Sequence, residues 1–499
     1  MFINSLATSL AFVSSVSRDG IVQNPPFYSC LRRIHTGNRI SHIGISFMSA
    51  SEISSTSQGS EQITSQDDAS AFESLFQGIS ASPDGLLDLR SSKGERGIFL
   101  NRDVGTDDAI LRIPISSCVR DDMPPDWYDQ AQSDDDENPH PYNPSKWAIR
   151  LAASLIDLDL CSNEGADDED ILRAKKQWLA MMPDPQYLRA CLPLHWQEEI
   201  LSNSKCTALE IANDSTYFAR ADAVSELQAA LQSSEAQNEL CAERNLDVIS
   251  LCNNAFDLVQ TRCCRVERID GVQLCPPLRV VAPIFDFINH GSSQYVGEGS
   301  SNAYFGLEGE GEDRALVVRT RRGIPADNQI LIDYGDSARP SWRCLASYGF
   351  VPDYRVLGPD DEPFDGADEC VAEVFYNGGR YEVSSHTIPT ELVEAAYASY
   401  LEEEEGARAF TMVDSTDESE NIFPPAVALR LAKRISDAAF DIVIDRPETN
   451  ERKMRSKDEF DPDLLANDLA KSLRWSQNKV LLACAVGLRD YAAREDTSN

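Results

Sequence analysis

A block of helical spacing interrupts a run of strand signals and then gives way to strand signals again, an order that leaves the chain few architectures. Gly97-Ile-Phe-Leu, Asp103-Val-Gly and Ala109-Ile-Leu-Arg-Ile-Pro114 are short apolar runs separated by Gly and polar residues, which predicts strands joined as a hairpin. From Lys146 the spacing turns helical through Trp147, Leu151, Leu155, Trp178, Leu179, Leu192, Trp196 and Ile200. It continues over 221–231 and 247–259, where Val248, Leu251, Ala255, Phe256 and Val259 share one face. Strand signals return at 279–283, 303–305, 315–320 and 329–334. Two strand blocks around a helical block make an α+β arrangement rather than an alternating βαβ one.

The flanks carry other signals. Phe72, Leu75, Phe76 and Ile79 have helical spacing, so order is expected to begin near residue 69, after a Ser/Thr/Gln-rich linker at 51–65. Residues 1–50 hold Arg18, Arg32, Arg33 and Arg39 against Asp19 alone, with many Ser and Thr. Such composition resembles that of an organellar transit peptide, and Leu6 to Val13 has the length of a short signal-sequence apolar region, so a plastid destination is expected, with cytoplasm or nucleus as the alternative. Past Pro352 an acidic stretch (Asp360, Asp361, Glu362, Asp365, Asp368, Glu369) marks a boundary before long helical patterns at 391–405, 426–443 and 463–494, with an acidic loop at 414–420. The expected division is 1–68 as targeting segment and linker, 69–354 as a domain with a helical insertion at about 145–255, and 355–499 as an all-helical unit.

Charge and cysteine usage exclude several classes. A net charge of -37 and a pI near 4.4 would repel a phosphate backbone, so no nucleic acid is expected as a partner. The same field suits a basic protein segment. Thirteen cysteines spread over 499 residues do not form the framework of a small secreted domain, and Cys263, Cys264 and Cys275 lack structural-zinc spacing, so reduced thiols and no metal are expected. No run approaches the roughly 18 apolar residues of a membrane span, so no membrane partner is expected, and the chain is read as a monomer that is soluble once processed.

Three segments stand out for chemistry. Ala282-Pro-Ile-Phe-Asp286-Phe-Ile-Asn289-His290 ends an apolar stretch in an Asn-His pair; Ile330-Leu-Ile-Asp-Tyr334-Gly delivers a Tyr from a strand; Ser347-Tyr348-Gly349-Phe350-Val351 is aromatic. Singly, each has an ordinary reading as a turn or cap or as core aromatics. In this order, over roughly 69–354, they resemble the core of SET-domain protein-lysine methyltransferases, specifically the subfamily of the plastid ribulose-bisphosphate carboxylase large-subunit lysine methyltransferase. Weaker likeness continues at Leu473-Arg-Trp-Ser-Gln-Asn-Lys-Val-Leu.

The resemblance implies a SET β-fold with knot-like threading, a helical insertion and an all-α C-terminal substrate-binding domain, and transfer of methyl from S-adenosylmethionine to a lysine of a protein substrate, non-histone or plastid. Carried over by position, Glu95, Arg96, Gly97, Arg262, Asp286, Asn289, His290 and Tyr334 would bind the cofactor. Thr261, Cys264, Asp286 and Tyr348 would face the target lysine, and Tyr334 would be the catalytic tyrosine. The residue types suit the reaction: in-line methyl displacement by a neutral amine needs positioning and a dry channel, with aromatic walls lowering a lysine pKa from about 10.4. Two departures stand out. Cys264 replaces the usual aromatic of a Ser/Thr-Arg-x-Phe segment, and Gly335-Asp-Ser337-Ala-Arg-Pro340-Ser-Trp342 lacks the common Ser-Asn-x-Glu. Protein-histidine methylation, a catalytically silent protein-binding module, and a metal held by Asp286 and His290 on one helix face are the alternatives.

Overall fold

In a computed structural model the described residues are 66–79, 85–92, 95–133, 146–161, 169–293, 299–335, 340–356, 370–385, 387–407, 424–443 and 460–498. The expected targeting segment and linker, most of the Asp-rich loop after Ser133, the acidic stretches at 360–369 and 414–420, and residues 336–339 lie outside them.

The chain is α+β. Helix α1 (Gln66–Ile79) precedes β1 (Leu87–Ser92), β2 (Glu95–Leu100), β3 (Ala109–Pro114) and β4 (Val119–Arg120). Eight helices follow: α2 (Asp126–Ser133), α3 (Trp147–Leu160), α4 (Glu169–Ala180), α5 (Pro185–Cys191), α6 (Glu198–Asn203), α7 (Thr207–Ser233), α8 (Glu235–Glu243) and α9 (Val248–Arg262). Six strands return the chain to sheet: β5 (Cys264–Ile269), β6 (Val272–Val281), β7 (Asn289–His290), β8 (Ala303–Glu308), β9 (Ala315–Thr320) and β10 (Leu331–Ile332). Helix α10 (Ser341–Tyr348), the strands β11 (Val371–Tyr376) and β12 (Gly379–Ser384), and helices α11 (Thr390–Ala407), α12 (Pro425–Asp441) and α13 (Pro462–Ser498) complete it.

The main sheet runs β3-β9-β8-β5-β6-β4, and β10 joins it in parallel to both β7 and β8. The hairpin expected across 97–114 is corrected: β2 pairs with β1, whereas β3 pairs antiparallel with β9, some two hundred residues on. Burial decides this. Ile110, Leu111 and Ile113 need apolar neighbours, and Leu316 and Val318 supply them.

The insertion helices start and stop where the sequence directs. Asp184 caps α5, accepting the Gln186 N–H at 2.8 Å with Pro185 at the first helical position, and Asp247 caps α9 through the Ser250 N–H at 3.1 Å. Between α5 and α9 lies a buried ion cluster. Asp257 accepts from Arg220 Nη2 at 2.6 Å and stands 2.9 Å from His195 Nε2, with 1% of its side chain exposed. Arg220 also reaches the Asn253 carbonyl and Gln260, and Gln260 Nε2 donates to the Ala346 carbonyl of α10 at 2.7 Å.

One apolar core runs from Phe72 to Ile332 beneath the main sheet and insertion; a second gathers Tyr354, Val374, Leu392, Leu431, Leu481 and their neighbours. The C-terminal unit is helical but not all-α, a correction to the expectation, because β11 and β12 form an antiparallel hairpin within it. Its turn is Asn377-Gly378, both with positive φ (47° and 79°), the pairing a tight hairpin turn favours. None of the described helices is long and apolar enough to cross a membrane.

Candidate active site

The segment before Asp286 is bent by an unusual residue. Ile284 has φ 70° and ψ -47°, and the Phe285 N–H donates back to the Pro283 carbonyl at 2.8 Å, a γ-turn. A buried β-branched residue there stores on the order of 1–3 kcal/mol of strain, a burden that tends to persist where a site over-determines the backbone. The turn sends Phe285–Phe287 through one 3-10 turn and delivers Asn289 and His290 as β7.

Parallel pairing of β7 with β10 then places Asn289 opposite Leu331 and His290 opposite Ile332. Asn289 Nδ2 donates to the Arg96 carbonyl at 2.8 Å, 193 positions away in the chain. Gly97 is required here: a Cβ would lie 2.0 Å from Gln329 Nε2 and 3.0 Å from Asn289 Nδ2. Gln329 is able to swing aside; Asn289 moves only by giving up Arg96. Gly97→Ala is therefore expected to destabilise by about 1–3 kcal/mol, read as a lower urea midpoint at unchanged slope. An unchanged midpoint would show that the side chains yield freely.

Arg96 does not project into open space: its guanidinium donates to the Met181 carbonyl at 3.0 Å and lies 5.4 Å from the Phe287 ring centroid. Glu95 lies in β2, opposite Ser92. Arg262, at the end of α9, donates to the Asp286 carbonyl at 2.9 Å. Asp286 Oδ1 accepts from Trp178 Nε1 of α4 at 3.0 Å, while Oδ2 is buried without a partner. Burial pushes the Asp286 carboxyl up to about 6, against the lowering pull of Arg262, the Trp178 N–H and Arg96.

Tyr334, two residues past β10, closes the site. Its hydroxyl donates to the Ile288 carbonyl at 2.7 Å, and its own carbonyl accepts from the Tyr348 hydroxyl at 3.0 Å. The Tyr334–Tyr348 rings meet edge to face at 4.9 Å, with Phe350 at 6.2 Å from Tyr334. Gly349, at φ 76°, ends α10 and turns the chain between Tyr348 and Phe350; a Cβ there would meet Cys191 Cβ at 2.8 Å. His290 lies 5.3 Å from Tyr334, ring to ring. The Tyr334 N–H donates to His290 Nδ1 at 3.3 Å, which leaves the proton on Nε2, facing the Tyr354 hydroxyl at 2.8 Å.

Of the expected residues, Arg96 and Gly97 meet Asn289, Arg262 meets Asp286, and His290, Tyr334 and Tyr348 meet one another; Thr261 and Cys264 differ in role. The Thr261 hydroxyl bonds to the Asp257 carbonyl of its own helix at 2.7 Å, and Cys264 is half-buried at the start of β5, its thiol raised well above the ordinary value by burial. The metal reading is overturned. Asp286 and His290 share no helix face, Asp286 being held by Trp178 and His290 by Tyr334 and Tyr354. Among the described residues no three His, Cys, Asp or Glu converge. A separate cavity of about 500 Å³, lined by Arg189, His195, Trp196, Asn253 and Asp463, shares no residue with this cluster.

Trp178, Gln329, Phe350 and Tyr354 are the members that sequence reasoning missed as site residues. Phe350 stands in the aromatic segment 347–351, and Trp178 carries a second signal: a buried indole needs an acceptor for its N–H, and Asp286 is the carboxylate within the apolar motif. Chemically, the cluster offers aromatic edges, a neutral hydroxyl and main-chain carbonyls, a lining that strips water from a cation or amine.

No protein-family model matches the chain, and no curated protein matches it. Among solved structures, the chain is similar to the SET domain of LSMT bound to lysine and AdoHcy, at 14% identity over 87% of this chain and 93% of that chain, with a TM-score of 0.45. Rubisco LSMT bound to sinefungin and monomethyllysine gives 14% identity, 86% and 92% coverage and a TM-score of 0.46. Rubisco LSMT bound to AdoMet gives 13%, 86%, 92% and 0.45.

Proposed function

We propose that this chain is an S-adenosylmethionine-dependent protein-lysine N-methyltransferase of the SET kind. The observation that carries the reading is the meeting of Asn289-His290 with Tyr334 through parallel β7 and β10, beside Arg96-Gly97. The three sequence segments whose order supports the resemblance lie within 282–351, and Arg96-Gly97, far earlier in the chain, meets Asn289.

The residues fit the cofactor. Asp286 Oδ2 and Arg262 Nε are buried polar atoms lacking partners, an acceptor and a donor of the kind that an amino-acid end with its ammonium and carboxylate would take up. Asn289, Gly97 and the Arg96 main chain form the neighbouring wall. When bound, S-adenosylmethionine supplies a methyl group on a sulfonium.

The chain's own part is to prepare the acceptor. Tyr334, Tyr348 and Phe350 form an aromatic wall that disfavours an ammonium's full hydration and so lowers the lysine pKa, releasing the nitrogen lone pair. The Tyr334 hydroxyl spends its proton on the Ile288 carbonyl, which leaves oxygen lone pairs to face positive charge. Cys264, protonated, forms a neutral wall where an aromatic would make a narrower one. The substrate is read as a non-histone protein, with a plastid protein favoured by the composition of residues 1–50.

Titration of S-adenosylmethionine into the full chain is expected to give micromolar binding that Asn289→Ala weakens at least tenfold. Tyr334→Phe is expected to keep that affinity and lose methyl transfer to a lysine-rich acceptor protein. Label on histidine instead would move the assignment to histidine methylation. A folded chain that binds no S-adenosylmethionine would leave a silent binding module.

A further inference from the structure

His290 joins two parts of the molecule. Its Nδ1 accepts the Tyr334 N–H within the site at 3.3 Å, and its Nε2 faces the Tyr354 hydroxyl at 2.8 Å. Tyr354 belongs to the other core: it is 4% exposed and packs with Val374, Leu431 and Leu481 in the C-terminal apolar cluster. Having accepted from His290, the Tyr354 hydroxyl has its hydrogen available for Cys344 Sγ of α10, 3.5 Å away. Its carbonyl accepts from Lys479 of α13 at 3.5 Å, and Lys479 also pairs with Asp353 at 2.9 Å.

An imidazole rotates broadly about its terminal torsion unless both nitrogens are held. Tyr334 holds one side through an amide fixed in β10's continuation, so the other anchor sets the ring's angle. We propose that Tyr354 is a positioning residue through which the C-terminal unit fixes the His290 imidazole and, by way of it, the backbone at Tyr334. The C-terminal unit is then part of the site's alignment as well as a docking element. A partner that shifts α13 against Tyr354 would be felt at Tyr334. The consequence for methyl transfer rests on the proposed activity; the coupling itself does not.

The test uses the full chain carrying Tyr354→Phe, which keeps the ring and removes the acceptor. Without cofactor, hydrogen exchange of the Tyr334 amide is expected to quicken about fivefold, the equivalent of one ordinary hydrogen bond, while amides of Val427 to Ile435 in the C-terminal core hold. Nitrogen spectra of the histidine ring are expected to show the Nε2–H tautomer in the wild type and a mixture of tautomers in the variant. An unchanged Tyr334 amide and tautomer would overturn the proposal. Should Tyr354→Phe fail to fold, Cys344→Ala decides: a smaller shift in the same direction supports it, and none overturns it. These readouts stand apart from activity, so a chain that binds no S-adenosylmethionine would sink the methyltransferase reading and leave the coupling standing or falling on its own.

Discussion

Asp257→Ala is expected to lower stability by about 3–5 kcal/mol, read as a large fall in urea midpoint, because it strands a buried guanidinium. Arg220 is 8% exposed, and burial already pulls its pKa down from the ordinary value against the attraction of Asp257. Without the carboxylate, Arg220 keeps the Asn253 carbonyl, Gln260 and the Phe256 ring, all neutral, and His195 loses the same partner. The damage should spread to the site, since Gln260 ties this cluster to the Ala346 carbonyl on the helix that carries Tyr348. Adding Arg220→Met to Asp257→Ala should recover much of the loss, because removing both charges also removes the unpaired one. A single variant within about 1 kcal/mol of wild type would show that water reaches Arg220 freely.

A second large effect is a stability difference that depends on pH. The Asp286 carboxyl is raised from 3.8 in the unfolded chain to about 6 in the folded one by desolvation. Between those values the native state binds more protons than the unfolded state, so stability falls as pH rises from about 4 to about 6. Above that window the whole penalty is present, about 3 kcal/mol at 1.36 kcal/mol per unit. Asp286→Asn keeps an oxygen for Trp178 and carries no charge. Measured against wild type, it should gain up to about 3 kcal/mol between pH 4 and pH 7, with no pH-dependent gain below pH 4. Parallel pH profiles would mean that Asp286 is not desolvated. Carrying a destabilising carboxylate through neutral pH fits a group retained for what it binds.

Much of this is legible in the sequence itself, for reasons that differ by element. The insertion helices announce themselves because Val248, Leu251, Ala255, Phe256 and Val259 repeat at the period a one-sided helix needs, and Asp247 stands at the cap. Strand existence was readable at β3, β8 and β9; strand partnership was not, because pairing of Ala109–Pro114 with Ala315–Thr320 depends on which apolar faces meet in space. The β11–β12 hairpin is signalled by Asn377-Gly378 alone, a short signature set before the much longer helical patterns that follow it. The candidate site divides in the same way. Asn289, His290 and Tyr334 are marked by their apolar settings and order. Tyr354 and Trp178 meet their site partners across 64 and 108 positions, and which partner each meets is not encoded by local spacing.

The Asn289 bond to Arg96 also has a consequence in time. A chain made from its N-terminus exposes Arg96-Gly97 long before Asn289 exists, and the 193-position gap must close before that contact forms. The β3–β9 pairing waits in the same way. Contacts of such separation slow folding, while the insertion helices between them form from local contacts early. The site is therefore among the last parts of the domain to be assembled, and a nascent chain that stops before residue 289 has its insertion helices but neither Asn289 to reach Arg96 nor Tyr334 to stand beside His290.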